Sequence, residues 1–304
     1  MSDQQWVLPL GSAAEGDFDL VVDDRTEGWQ HTGLRVATLR EGSAVEVPAG
    51  EWEHVVVPLS GPVQVVVGDE ERVIDLAGRR SVFDGPTDVV YAPAGTPLRL
   101  VGVAGARVAV CAARVTEAAG RDVRHLAAEQ VPLELRGAGI ASREVRNFGV
   151  PDVLDAEKII ACEVVTPAGN WSSYPPHKHD EEREGLETEL EEIYYFETQV
   201  EGAAAGGLVP EGADPVGYQR VYGTDERPID VFAEVRTGDV VLVPHGWHGP
   251  AMAAPGYDLY YLNVMAGPGP TRAWLICDDP SHGWVRDTWA DQVTDARLPL
   301  GGTR

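Results

Sequence analysis

The chain is short of several things, and each shortage excludes something. Cysteine is nearly absent. Cys111, Cys162 and Cys277 are three in number and far apart, which excludes a disulfide framework and suits a reducing cytoplasm. Basic residues are scarce, 24 Lys and Arg against 49 Asp and Glu, for a net charge of −25. That balance excludes nucleic acid and anionic membrane as partners. It also means that any substrate carboxylate needs a locally placed Arg or Lys. No apolar run approaches the ~20 residues of a membrane-spanning helix. The opening MSDQQWVLPL has neither a basic start nor a long apolar core, so no secretory signal is expected.

What is present is a β pattern. With 304 residues, 43% of them hydrophobic, there is material for one large or two ordinary domains. Residues 1–126 are a series of short Val-rich runs punctuated by Gly, Pro and Asp, as in GLRVATL, EHVVVPL, PVQVVV and RVAVCAARV. Residues 127–158 are polar and Gly/Pro-marked, and read as a linker with an entry strand; Arg143, Arg146 and Lys158 in it read as solvated surface. The pattern then repeats to residue 304, in KIIACEVVTP, EEIYYFETQV, GYQRVYG, DVFAEVR, DVVLVP and YDLYYLNVMAG. The fold class predicted is all-β, two antiparallel barrels of sandwich or jelly-roll type, divided at 126/127.

The second half holds a constellation that the first lacks. In WSSYPPHKHD, His177 and His179 stand two apart, which on a strand is one face. An acidic run follows, read as a solvated loop, and then an apolar strand opened by Glu191 and Glu192. Further on, GDVVLVPHGWH places His248 after a buried-looking strand and a Pro/Gly turn. Three imidazoles and one carboxylate suit a divalent transition metal, with Zn, Mn, Fe, Co and Ni all acceptable to that donor set. His31, His54, His125 and His282 have no such companions and read as ordinary polar residues. Beside the donors, Tyr174, Lys178, Gln219, Arg220, Tyr222, Tyr260, Tyr261 and Asn263 are groups suited to a hydroxylated, anionic small molecule, with Arg220 foremost for a carboxylate. Trp274, Trp284 and Trp289 are expected to pack the C-terminal tail onto the second barrel.

HxH, Glu and G-x5-P-x-G followed by His together resemble the two signature motifs of the cupin superfamily. There are departures: residues 180–191 separate His179 from Glu192, and only Trp247 separates Gly246 from His248. The longer words TPAGNWSSYPPHKHD, QRVY, GDVVLVP and APGYDLYYLNVMAGP resemble the bacterial 5-deoxy-glucuronate isomerase family of myo-inositol catabolism, related to the hexuronate ketol-isomerases of pectin degradation. RSVFDGP and YAPAGT extend the likeness weakly into the first half.

The resemblance implies a bicupin with one divalent metal ion held by His177, His179, Glu192 and His248. Glu192 is preferred to Glu191 because the cupin ligand immediately precedes the apolar run. It implies an aldose–ketose isomerase in the cytoplasm, converting 5-deoxy-D-glucuronate to 5-dehydro-2-deoxy-D-gluconate. Tyr222 and Tyr260 are the candidates for proton transfer, with His245 and a metal-bound hydroxide also open. Arg220, Lys178, Gln219 and Tyr174 are the candidates for the anionic sugar. The first half, with VEVPAGEW in place of HxH, reads as structural, and a homodimer through strand edges is the expected partner arrangement. The alternatives are a ketol-isomerase for another deoxy-hexuronate, an Fe(II) cupin dioxygenase, and a sugar-binding protein without turnover.

Overall fold

Two kinds of strand follow from two kinds of sequence. The run VAVCAA is apolar without a break and IIACEVV is apolar but for a buried Glu163; both form strands buried on both faces. Alternating runs such as VQVVV and DVFAEV bury every second residue and cover an outer face. The structure of the protein, a computed structural model, describes residues 3–116, 119–202 and 208–301.

The strands form four sheets in antiparallel ladders. In the first half, a six-stranded sheet runs Arg124–Leu126, Val89–Ala92, Trp52–Ser60, Ala106–Arg114, Thr32–Leu39, Leu20–Val22. It packs on a four-stranded sheet through Val45, Val56, Val65, Leu100 and Val110. In the second half, a seven-stranded sheet is centred on Glu191–Val200, Tyr257–Ala266 and Ile160–Thr166. It faces a six-stranded sheet that includes Gly217–Tyr222, Trp247–Ala253, His177–Lys178 and Cys277–Asp278, with Phe196, Val221, Val231 and Ala251 among the residues between them. The two large sheets lie back to back, joined by Val55, Cys111, Ile193, Leu242 and Val264. This central packing is why their strands are apolar on both sides.

Among the described residues, strands between Leu20 and Leu126 pair only with one another, and those from Leu133 onward pair with one another and with Val7–Leu8. The first strand thus crosses over, with Val7 opposite Val241. The stretch 127–158 is more ordered than a linker: it supplies the strands Leu133–Arg136 and Arg143–Gly149. Its arginines are not solvated either, since Arg143 is 5% and Arg146 0% exposed.

Polar groups fasten the halves. Glu191 accepts from the backbone N–H groups of Gln30, His31 and Thr32 at 3.1, 2.6 and 2.6 Å. Glu53 does the same for Glu157, Lys158 and Ile159 at 2.9, 2.6 and 2.6 Å. The exchange is reciprocal, a carboxylate of each half capping the entry loop of the other. Between the large sheets, Arg79 pairs with Glu163, which also accepts from Tyr260 at 2.6 Å, and Arg146 pairs with Glu144 at 2.7 Å. No helix among the described residues is long and apolar enough to cross a membrane.

Candidate metal centre

The register of the second half brings the donors together. His177 lies directly opposite His248 across the strand pair. The strand from Glu191 obeys the period of two: Glu192, Tyr194 and Phe196 face the interior of the second half, whereas Ile193 and Tyr195 face the first half. His179, Glu192 and His248, each 1% exposed, offer donor atoms that all lie within 4.8 Å of one another. Glu192 Oε2 is 3.1 Å from Nε2 of both His179 and His248. His177 flanks this trio, its ring centroid 4.5 Å from that of His248 and 6.3 Å from that of His179.

Each histidine is oriented by the chain. Nδ1 of His177, His179 and His248 sits 3.3, 3.2 and 3.2 Å from the carbonyls of Pro175, Leu190 and Gly246 respectively. A carbonyl only accepts, so the proton belongs on Nδ1 and the Nε2 lone pair is left for a ligand. Lone pairs of two imidazoles then meet a carboxylate oxygen in a buried space, an arrangement that calls for a proton or a cation at its centre. With no cation, burial raises the Glu192 pKa, but the hydrogen bonds to His179 and His248 outweigh it and hold the carboxyl at about 2. Burial likewise lowers the His179 pKa, and Glu192 overrides it upward. A metal ion would replace that shared proton. The donor set fits a borderline divalent ion.

Beside the cluster is a cavity of about 30 Å³, with Arg136, Arg143, Ser173, Asn263, Tyr261 and Trp274 on its walls. Ser173 Oγ bridges the hydroxyls of Tyr194 and Tyr261 at 3.2 and 3.1 Å.

Several sequence candidates lie elsewhere, and alternation explains most of them. Tyr260 points from its strand toward the first half and donates to Glu163, while Tyr261 faces the cavity. Arg220 and Tyr222 are on the outer face of their strand. Arg220 is held by Asp230 at 2.6 Å and lies over the ring of Tyr222, whose hydroxyl donates to Asp279 at 2.5 Å. Lys178, between the two histidines, faces away from them. It is tied to Asp180 and Glu187 at 2.5 and 2.9 Å. Those two carboxylates are buried, so the acidic insert is not a simply solvated loop. Tyr174 packs edge-on against Trp171. His245 is beside Arg227, its pKa lowered by burial first and by that charge second. Gln219 does point inward, fully buried, and neither of its amide atoms has a partner among the described residues. In the tail, Trp274 lines the cavity and Trp289 lies under Arg143, but Trp284 is exposed.

The arginines of the cavity were not marked by any motif. The signal available was the strand phase, because Val145 is an inward residue and Arg143 shares its face.

Comparison with known proteins adds the following. The model of the KduI/IolB family matches residues 6–285. A 5-deoxy-glucuronate isomerase of Geobacillus kaustophilus is 37% identical over 283 residues, covering 93% of this chain and 95% of its own. One of Bacillus subtilis strain 168 is 37% identical over 254 residues, covering 83% and 86%. Among solved structures, an IolB-like protein of Salmonella typhimurium superposes with a TM-score of 0.80 at 32% identity, covering 92% of this chain and 98% of its own. A Lactobacillus farciminis oxalate decarboxylase reaches 0.60 at 12% identity, covering 90% and 88%, a likeness of fold alone.

Proposed function

The chain belongs to the KduI/IolB family, and from that premise we propose that it is a metal-dependent aldose–ketose isomerase acting on 5-deoxy-D-glucuronate to give 5-dehydro-2-deoxy-D-gluconate. The observation that supports this reading is the convergence of His179 Nε2, His248 Nε2 and Glu192 Oε2 on one buried point beside a cavity walled by hydroxyls.

The reaction moves one proton from C2 of the substrate to C1 and another from the C2 hydroxyl to the former aldehyde oxygen. A bound divalent ion supplies the Lewis acidity that polarises the carbonyl and the neighbouring oxygen. His179, Glu192 and His248, with His177 beside them, are the residues that would hold it. The backbone carbonyls at Nδ1 fix the three rings before substrate arrives, which is preorganisation rather than adjustment. Tyr194, Ser173 and Tyr261 form a hydroxyl chain on the cavity wall, able to carry a proton along the substrate's edge. In this role they replace Tyr222 and Tyr260, whose hydroxyls are engaged outside the cavity. The inward amide of Gln219, free at both atoms, is suited to a sugar hydroxyl.

The test is an isomerase assay with chelated protein and with protein reloaded with Zn, Mn, Fe, Co or Ni. 5-Deoxy-D-glucuronate and a pectin-derived deoxy-hexuronate are compared side by side. Activity with the first, lost on chelation and restored by one ion per chain, is the expected result. Full activity in metal-free protein, or oxygen uptake with substrate, would overturn it.

A further inference from the structure

Among the described residues three arginines are buried, Arg79, Arg143 and Arg146. Arg79 and Arg146 hold glutamates. For Arg143 no carboxylate lies within ion-pair distance among the described residues. Its guanidinium donates to the carbonyl of Ala141 at 3.0 Å and lies 5.5 Å from the ring of Trp289. A buried charge without a counter-charge is costly in a folded protein and usually marks a place where something else supplies it. Burial pushes the Arg143 pKa down to about 10.

A second observation sharpens the first. Arg136 is directly opposite Arg143 in the strand pair. Like charges in that position repel. Arg136 has Glu134 at 2.8 Å and rests on the ring of Trp274, so its own charge is partly met. Both guanidinia line the same cavity as His177 and Glu192. The cavity is therefore lined by both metal-ligating and cationic groups, and an anion against the guanidinia would relieve the unpaired charge.

We propose that Arg143, seconded by Arg136, seats the carboxylate of the substrate and thereby restricts the site to uronates over neutral aldoses. This rests on the isomerase reading above. A six-carbon chain carries an aldehyde and a carboxylate at opposite ends, one group for the metal ligands and one for the guanidinia, once the cavity of about 30 Å³ has widened to admit it. A guanidinium offers parallel donors to a carboxylate, which neither lysine nor glutamine reproduces. The alternative basic groups are engaged elsewhere: Arg220 on the outer face, Lys178 against Asp180 and Glu187.

The experiment uses metal-loaded wild type, Arg143→Lys and Arg143→Gln. Two ligands are compared, 5-deoxy-D-glucuronate and its neutral counterpart with a hydroxymethyl group in place of the carboxylate. In Arg143→Gln, kcat/KM for the uronate should fall on the order of 10- to 100-fold, the range for one charged hydrogen bond. The value for the neutral sugar should stay within a few-fold, so that the ratio between the two collapses. Arg143→Lys should fall between. Metal content should not change, which separates anchoring from a structural role. An unchanged ratio in either folded variant overturns the inference. Should Arg143→Gln not fold, Arg143→Lys decides alone. Calorimetric binding of the two ligands is measured in parallel. If wild type binds the uronate but turns over neither ligand, the isomerase reading fails while the binding ratio still judges Arg143. Equal wild-type affinity for both ligands sinks the inference whatever the turnover.

Discussion

Adjacent residues on one strand can have unrelated jobs, and Glu191 and Glu192 are such a pair. Glu192 faces the histidines; Glu191 faces the first half and accepts from three backbone amides and the Thr32 hydroxyl. Glu192→Gln removes the anionic donor, and most bound metal and activity should go with it, as read by metal analysis and assay. Glu191→Gln should keep its metal yet lose stability by about 1–3 kcal/mol, the range for a buried donor left unpaired. A glutamine has one acceptor oxygen and turns N–H donors toward donors. Denaturant unfolding checks it, and an unchanged midpoint would refute the capping role. Which glutamate faced inward could be read from the sequence only with the cupin pattern as tie-breaker. Tyr260 against Tyr261 could not be read at all. Their strand is buried on both faces, so apolar character gives no phase. Gln219 and Arg220 cannot both line the wall, since a strand presents only one of two neighbours to each side.

At the level of elements, two segments without motifs complete the site. The strand pair Leu133–Arg136 and Arg143–Gly149 comes from a stretch whose Gly and Pro content suggested a linker. The tail runs beside the site, with Cys277–Asp278 pairing with His177–Lys178 and Trp274 lining the cavity. The His-x-His and PHGWH words were legible because ligand chemistry fixes residue type and spacing. The tail was not, because covering a site demands only bulk. A cavity of about 30 Å³ holds water rather than a sugar, so substrate entry requires wall groups to move, and Trp274, which rests on Arg136, is the tail's share of that wall. Trp274→Ala should leave metal content unchanged and lower kcat on the order of tenfold through poorer exclusion of water. Steady-state kinetics reads this, and a wild-type kcat would remove the tail from the closing of the site.

For the whole molecule, charge and the seam between halves dominate. A net charge of −25 repels an anionic substrate until it reaches the local arginines. Raising ionic strength from about 0.01 to 0.15 M shortens the screening length from ~30 to ~8 Å. The expected outcome is a kcat/KM that rises with salt over that range, opposite to an enzyme that steers its substrate electrostatically. A falling value would show that the local field at the mouth is already positive. At the seam, Arg79→Met leaves Glu163 buried with the Tyr260 hydroxyl and, as its counter-charge, only the more distant Arg146 at 3.7 Å. A loss of about 3–5 kcal/mol in unfolding free energy is expected, measurable by calorimetry. The two-part architecture was visible in the repeated strand pattern. The back-to-back seating of the large sheets was not, since the charged groups that fasten it, Arg79, Glu144, Arg146 and Glu163, resemble surface residues when read singly.

The exchanged carboxylates also impose a calendar on the nascent chain. Glu191 lies 159 residues beyond Thr32. At a translation rate of about 5–20 residues per second, the amides of residues 30–32 wait roughly 8 to 32 s for their acceptor to be made. Glu53, by contrast, is already waiting when residues 157–159 leave the ribosome. The first half can collapse on its own core during synthesis, but its entry loop stays open to solvent until the second half is translated. A chain arrested before Glu191 should therefore be cut by protease near residues 30–32, and the released full-length protein should resist cleavage there.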